Sequence, residues 1–137
     1  MTTKFPPARV LVVDDDALSV AALVLLLSED NRVAVIDRAR NGAEGVELAL
    51  RLRPDVVLMD VQMPVMDGLE ATRRIRALLD STRVVLISGA DVPEAVERAR
   101  LAGASAFLRK GCDPSVLLDA LAGRAALKPV PAPAPGA

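Results

Sequence analysis

The sequence predicts an α/β fold in which a parallel sheet is covered by helices on both faces, a three-layer sandwich. Five short apolar runs alternate with stretches of helical spacing over residues 9–123. Most runs are continuous and β-branched, which is typical of parallel strands buried on both faces. Strands are expected at Val10–Val13, Val33–Ile36, Val56–Met59, Val84–Ile87 and Ala106–Leu108.

Five helices are expected between and after these strands. They are predicted over Asp16–Ser28, Asn41–Arg51, Gly68–Leu79, Asp91–Ala102 and from Asp113 to at least Leu121. Capping residues support two of the starts, because Asp16 and Asp91 can accept a backbone N–H of the first turn. Gly103 is a good terminator for the fourth helix.

The composition excludes several classes of protein. The chain has 137 residues, and its 17 basic and 18 acidic side chains leave a net charge of −1, which argues against nucleic-acid contact by this domain. It has no histidine and one cysteine, too few ligands for a structural zinc site. The longest apolar run, Val20–Leu27, is far shorter than the roughly 20 residues of a membrane span. We therefore expect no membrane contact and a cytoplasmic location.

The domain organisation is expected to be simple. Residues 1–7 form an N-terminal extension, residues 8–127 one domain, and residues 128–137 a tail in which proline alternates with valine or alanine. Such a tail is either a disordered terminus or a linker cut before a second domain, and composition does not separate these readings.

Polar side chains follow four of the five strands. Three aspartates, Asp14 to Asp16, follow the first strand, Asp60 the third, Ser88 the fourth and, one residue on, Lys110 the fifth. In open α/β sheets the carboxyl ends of the strands form the ligand site. Clustered carboxylates suit Mg²⁺, and a carboxylate can itself accept a phosphoryl group. A lysine and a hydroxyl would supply the charge neutralisation and positioning that phosphoryl transfer needs.

Four motifs resemble the receiver domain of two-component response regulators. They are VLVVDDDAL, VVLMDVQMPVMDG, VVLISGA and AFLRKG, and they occur in the family's order over roughly residues 8–123. The resemblance implies a flavodoxin-like (βα)₅ fold with strand order 2-1-3-4-5.

The resemblance also implies a role for each motif residue at the metal. Asp60 would be the phosphoacceptor. Asp15 would bind Mg²⁺ (or Mn²⁺) directly, with Asp14 assisting, and Asp60 and the backbone carbonyl of Gln62 would complete the protein ligands. Each of these residues alone has an ordinary structural reading, and only their joint placement favours the functional one.

Three further residues would bind the phosphoryl group or change conformation in response to it. Lys110 would pair with the carboxylate and then with the phosphate, and Ser88 would bind a phosphoryl oxygen. Phe107 would be the aromatic ring that moves with Ser88. The phosphodonor would be a sensor histidine kinase or a phosphocarrier, and phosphorylation would switch partner binding or dimerisation. We expect no enzymatic activity beyond self-catalysed phosphorylation and dephosphorylation.

One departure from the family pattern concerns the residue after the fifth strand's lysine. Many receivers have a cis-proline there, whereas this chain has Gly111, so no cis peptide is expected at that bond. This feature leans towards the subfamily with a LuxR-type helix-turn-helix output domain, which would give the whole protein a role in transcription.

Two other functions remain open from the residues alone. A haloacid-dehalogenase-type phosphatase also uses an aspartate nucleophile, Mg²⁺, a serine and a lysine, and Asp14-x-Asp16 superficially fits its first motif. In that case the phosphoryl group would be carried by Asp14, and the motif around Asp60 would have no explanation. A non-phosphorylated receiver-like scaffold is disfavoured by the full set of site residues.

The first helix is apolar most of the way round. Leu18, Ala22, Leu25 and Leu26 form one stripe, expected to face the core, and Ala17, Val20, Ala21 and Val24 form a second, expected to face outward. We hypothesise that this helix, together with the fifth, docks a partner kinase or a second copy. Scattered apolar surface residues are the competing interpretation.

Overall fold

A computed structural model describes residues 6–89 and 93–123. Within these ranges it contains the expected five strands and five helices in strict alternation. The strands are β1 (Ala8–Val13), β2 (Val33–Ala39), β3 (Val56–Asp60), β4 (Arg83–Ser88) and β5 (Ala106–Arg109). The helices are α1 (Ala17–Ser28), α2 (Gly42–Leu52), α3 (Gly68–Leu78), α4 (Pro93–Ala102) and α5 (Pro114–Ala122). The predicted boundary between domain and tail at residue 127 lies outside the described residues.

The five strands form one parallel sheet in the order β2-β1-β3-β4-β5. This confirms the flavodoxin-like topology. In the three central strands nearly every residue is buried, as their unbroken apolar runs predict. The strand order reverses direction between β1 and β3. The carboxyl ends of these two neighbouring strands therefore lie side by side at the switch point of the sheet.

Two hydrophobic cores lie on opposite faces of the sheet. One packs α2, α3 and α4 against side chains such as Leu11, Met59 and Leu86. The other packs α1 and α5 against Val12 and Leu58. Successive residues of each central strand point to alternate faces, so both cores draw on the same strands. The result is the predicted three-layer sandwich.

Side-chain caps define the helix starts. Asp16, Asn41, Asp67 and Asp113 each accept a backbone N–H of the helix that follows. The predicted cap Asp91 lies outside the described residues. The fourth helix ends before Gly103, which has a φ of +98°, as the sequence predicts.

The predicted orientation of α1 is wrong. Leu18 and Leu25, assigned to the core, are 82% and 67% exposed, whereas Val20, assigned to the outer stripe, is 5% exposed. Val20 and Leu27 are the buried pair of this helix. Because apolar residues surround α1 almost evenly, hydrophobicity does not indicate which side faces the sheet.

Across residues 6–89 and 93–123, no helix combines the length and the apolarity that crossing a membrane requires.

Candidate functional site

Three aspartates meet where β1 and β3 end. Asp14 and Asp15 directly follow β1, and Asp60 is the last residue of β3. One carboxylate oxygen from each lies within 4.8 Å of the other two. Asp14 and Asp60 are buried, and Asp15 is exposed. Asp14 is held by the N–H of Asp16, which donates to Asp14 Oδ1 over 2.9 Å.

Lys110 joins two of these carboxylates. Its Nζ lies 3.3 Å from Asp14 Oδ2 and 3.4 Å from Asp60 Oδ2. Burial lowers the pKa of this ammonium, but the carboxylates of Asp60 and Asp14 outweigh that effect, so its pKa lies above the ordinary value. Lys110 is positioned by the neighbouring strand, because its backbone N–H donates to the carbonyl of Ser88 over 2.8 Å.

The carboxyl group of Asp60 has a raised pKa. Burial is the main cause, and the charge of Asp14 adds to it. Lys110 and a hydrogen bond from the backbone N–H of Gln62 act in the opposite direction. Three acids around one ammonium therefore leave excess negative charge in a partly desolvated site.

This donor set fits a hard divalent cation. Mg²⁺ is bound through one or two carboxylates, keeps several waters and leaves room for phosphate oxygens. Carboxylates from Asp14, Asp15 and Asp60 converge, and the exposure of Asp15 keeps the site open on one side. The side chain of Gln62 is exposed, and its backbone carbonyl follows Asp60 in the same loop.

Asp16 does not join the carboxylate group. Its two oxygens accept the N–H of Leu18 and the hydroxyl of Ser19. It is thus the N-cap of α1, and its carboxylate is not among the three that converge. The geometry therefore gives no support to a site built on Asp14 and Asp16, which the phosphatase alternative requires.

Ser88 and Phe107 lie on the strands beside Asp60. Ser88 is the buried last residue of β4, one position beyond Ile87, which pairs with Asp60. Phe107 is half-buried on β5 and packs against the core that includes α4. Gly89 follows Ser88, and residues 90–92, which connect it to α4, lie outside the described part of the chain.

Gly68 shapes the loop after Asp60, a role that its place at the start of the third predicted helix does not reveal. A Cβ at this position would collide with the backbone carbonyl of Asp60. The N–H of Gly68 donates to the carbonyl of Val61 over 2.8 Å, which closes the loop after the phosphoacceptor candidate. The Asp-Gly pair in the motif is the available signal: Asp67 caps α3, and Gly68 lets α3 approach β3.

A second missed feature lies on the β2 side of the carboxylates. Arg38 and Arg40 line a cavity of about 330 Å³ together with Asp14 and Asp15. No site residue is predicted from the sequence at the end of β2. Nothing in the motifs indicates these arginines, because only the sheet order places β2 next to β1.

Comparisons with known proteins agree with this geometry. The family model described as response regulator receiver domain matches residues 10–122. The chain is 45% identical to a protein-glutamate methylesterase/protein-glutamine glutaminase of Myxococcus xanthus over 81% of its own length and 32% of the relative's. It is 38% identical to the nitrate/nitrite response regulator NarL of Escherichia coli, over 84% of its own length and 53% of the relative's.

Solved structures give the same result. The receiver domain of a NarL protein from Mycobacterium tuberculosis superposes with a TM-score of 0.81 at 37% identity, covering 85% of this chain and 94% of that one. A chain of the CheX–CheY–BeF3–Mg²⁺ complex from Borrelia burgdorferi gives 0.77 at 29% identity, covering 83% and 86%.

The chain spans about a third to a half of the length of these curated relatives, which differ from one another in what they do. The family model nevertheless matches most of this chain, from residue 10 to residue 122. The chain therefore belongs to the response regulator receiver domain family.

Proposed function

We propose that this domain is a phosphoacceptor whose Asp60 takes a phosphoryl group from a phosphohistidine of a sensor histidine kinase or phosphocarrier. The observation that carries the proposal is the contact of the Asp60 carboxylate with Lys110 in a group of three converging aspartates. A buried carboxylate beside an ammonium is a nucleophile with its charge compensation already in position.

In the proposed step, an oxygen of Asp60 attacks phosphorus and the phosphorus–nitrogen bond breaks. The imidazole nitrogen of the donor keeps the bonding electrons, and the product is an aspartyl phosphate. A bound Mg²⁺ or Mn²⁺, held by Asp14, Asp15, Asp60 and the carbonyl of Gln62, would neutralise phosphoryl oxygens. Lys110 would follow the developing charge, because its Nζ already contacts Asp60.

Ser88 and Phe107 suggest how phosphorylation would change the surface of the domain. The hydroxyl of Ser88, at the end of β4, would donate to a phosphoryl oxygen, and the ring of Phe107 on β5 would move towards the space that Ser88 leaves. Such a local change would shift the equilibrium between two arrangements of a packed surface, here the surface formed by α4, β5 and α5. Partner binding or dimerisation on this surface would follow.

The output of the whole protein is a separate question. The NarL relative is named a nitrate/nitrite response regulator and the Myxococcus relative a methylesterase/glutaminase, which supports either a regulatory or an enzymatic output for the whole protein. For the domain itself we propose no small-molecule product and no nucleic-acid contact.

The test is phosphoryl uptake measured by intact mass. Acetyl phosphate with Mg²⁺ should give a single phosphoryl adduct, and chelation should abolish it. Ser88→Ala should slow uptake about tenfold or more, the effect of losing one hydrogen bond to a charged group. Phosphoryl uptake that is unchanged by chelation of the cation and by Ser88→Ala would contradict the proposal. Mass is the suitable readout because the chain has no tryptophan or tyrosine.

A further inference from the structure

The cavity beside the carboxylates has charged walls of both signs. It is enclosed by the end of β2, the first turns of α1 and the start of α2. Arg38 and Arg40 supply positive charge, and Asp14, Asp15 and Glu44 supply negative charge. Val20 forms part of an apolar wall. Its volume, about 330 Å³, would accommodate one or two amino-acid side chains.

The two arginines are available to a partner. Both are exposed, and within residues 6–89 and 93–123 neither guanidinium has a carboxylate within 4.0 Å. Arg73 and Arg100, by contrast, pair with Glu70 and Glu97, whereas Arg51 and Arg53 are exposed and unpaired within the same ranges but lie away from the carboxylates. Free guanidinium groups two residues apart can bind carboxylates in a forked geometry.

The distance to Asp60 limits what can bind here. β2 lies two strands away from β3, and strands are spaced about 4.8 Å apart, so the arginines lie roughly 10 Å from the phosphoacceptor strand. A small phosphodonor does not span this distance. A protein that presents its phosphohistidine to Asp60 can also reach the cavity.

We propose that Arg38 and Arg40 form a subsite for an acidic segment of the protein that delivers the phosphoryl group. This inference rests on the proposed function of Asp60. Asp or Glu side chains of the partner bind the two guanidinium groups, and the exposed Ala17 contacts their methylene groups.

The charges of the cavity make this subsite depend on the cation. Without a metal, the three carboxylates in its walls outnumber the two guanidinium groups by one, and an acidic segment is repelled. A divalent cation, which Asp14 and Asp15 would hold, would make the net charge of the cavity positive. The subsite therefore recognises the form of the domain that is ready for phosphoryl transfer.

The experiment is an amide NMR titration of the domain with an acetylated tetraglutamate peptide at low ionic strength and saturating Mg²⁺. We expect shifts in residues 38–41, no shifts with tetraglutamine, and loss of the effect when Mg²⁺ is removed. The double variant Arg38→Gln/Arg40→Gln should bind the peptide about fivefold more weakly or worse. Arg51→Gln/Arg53→Gln is the matched control, because it removes the same charge at the far end of α2.

Equal peptide affinity in the wild type and in Arg38→Gln/Arg40→Gln, or no binding to the wild type, would overturn the inference. Acetyl phosphate separates this inference from the proposed function. The double variant should accept phosphate from acetyl phosphate within about twofold of the wild-type rate, because that donor does not reach the cavity. Peptide binding without any phosphoryl uptake by the wild type would leave the subsite intact and refute the role of Asp60.

Discussion

The Nζ of Lys110 lies 3.4 Å from Oδ2 of Asp60, although 50 residues separate them in the chain. The contact exists because β5 and β3 flank β4 and all three strands end at the same edge. The same ammonium also contacts Asp14. One ammonium therefore contacts two buried carboxylates, and a third carboxylate, from Asp15, lies beside them.

Removing Lys110 should destabilise the metal-free domain. Lys110→Ala leaves Asp14 and Asp60 buried without their cation, which costs about 1–3 kcal/mol in the free energy of unfolding. Saturating Mg²⁺ should restore most of this loss, because it neutralises the same carboxylates. Chemical denaturation with and without Mg²⁺ measures both. A loss that Mg²⁺ leaves unchanged would mean that Lys110 acts through packing instead.

The raised pKa of Asp60 predicts a pH-dependent effect of Asp60→Asn on stability. A carboxyl group whose pKa is higher in the folded state binds more protons folded than unfolded. Its contribution to stability therefore decreases as pH rises from the ordinary aspartate value of 3.8 through the folded pKa. Without metal, Asp60→Asn should stabilise the domain at pH 7, and the gain should shrink as pH falls towards 4. Thermal unfolding of both proteins at several pH values tests this, and a gain that grows towards low pH would contradict it.

One valine and one leucine of α1 test the orientation of this helix. Val20→Ala should cost about 1–2 kcal/mol because Val20 is buried, and Leu18→Ala should change stability by less than about 0.5 kcal/mol. Urea denaturation of the two variants gives the comparison. The reverse order of effects would restore the orientation that the sequence pattern suggests.

Val65 is strained in the loop after Asp60. It has a φ of +71°, which is costly for a β-branched residue, and its side chain is 84% exposed, so no packing compensates for the strain. Val65→Asn should raise the free energy of unfolding by about 1 kcal/mol, since asparagine tolerates this conformation. Denaturation measures the gain, with Val116→Asn, at an exposed position of α5, as a control that should gain nothing. A destabilised Val65→Asn variant would show that the side chain makes a contact that matters.

Sequence predicted the sheet well because its signals are local and strong. The runs around Val12, Leu58 and Val85 are continuous, and each is followed by a polar residue or a loop. The convergence of the three aspartates with Lys110 could be predicted because parallel strands end at one edge, so residues far apart in the chain are brought together by topology.

The orientation of α1, the backbone of Val65 and the position of the two arginines depend on tertiary contacts that the local sequence does not specify. An evenly apolar helix has no period to indicate that Val20 faces the sheet and Leu18 the solvent. The positive φ of Val65 depends on how the loop closes onto Gly68, not on the preference of valine. Arg38 and Arg40 come next to Asp15 only when β2 takes its place beside β1.

The identity of the phosphorylated residue is the most direct test of the account. The domain would be phosphorylated with acetyl phosphate and Mg²⁺, reduced with borohydride to convert the aspartyl phosphate to homoserine, and mapped by peptide mass spectrometry. We expect homoserine at position 60 alone, and no adduct in Asp60→Asn. Homoserine at position 14, or an undiminished adduct in Asp60→Asn, would contradict the assignment of Asp60 as the phosphoacceptor.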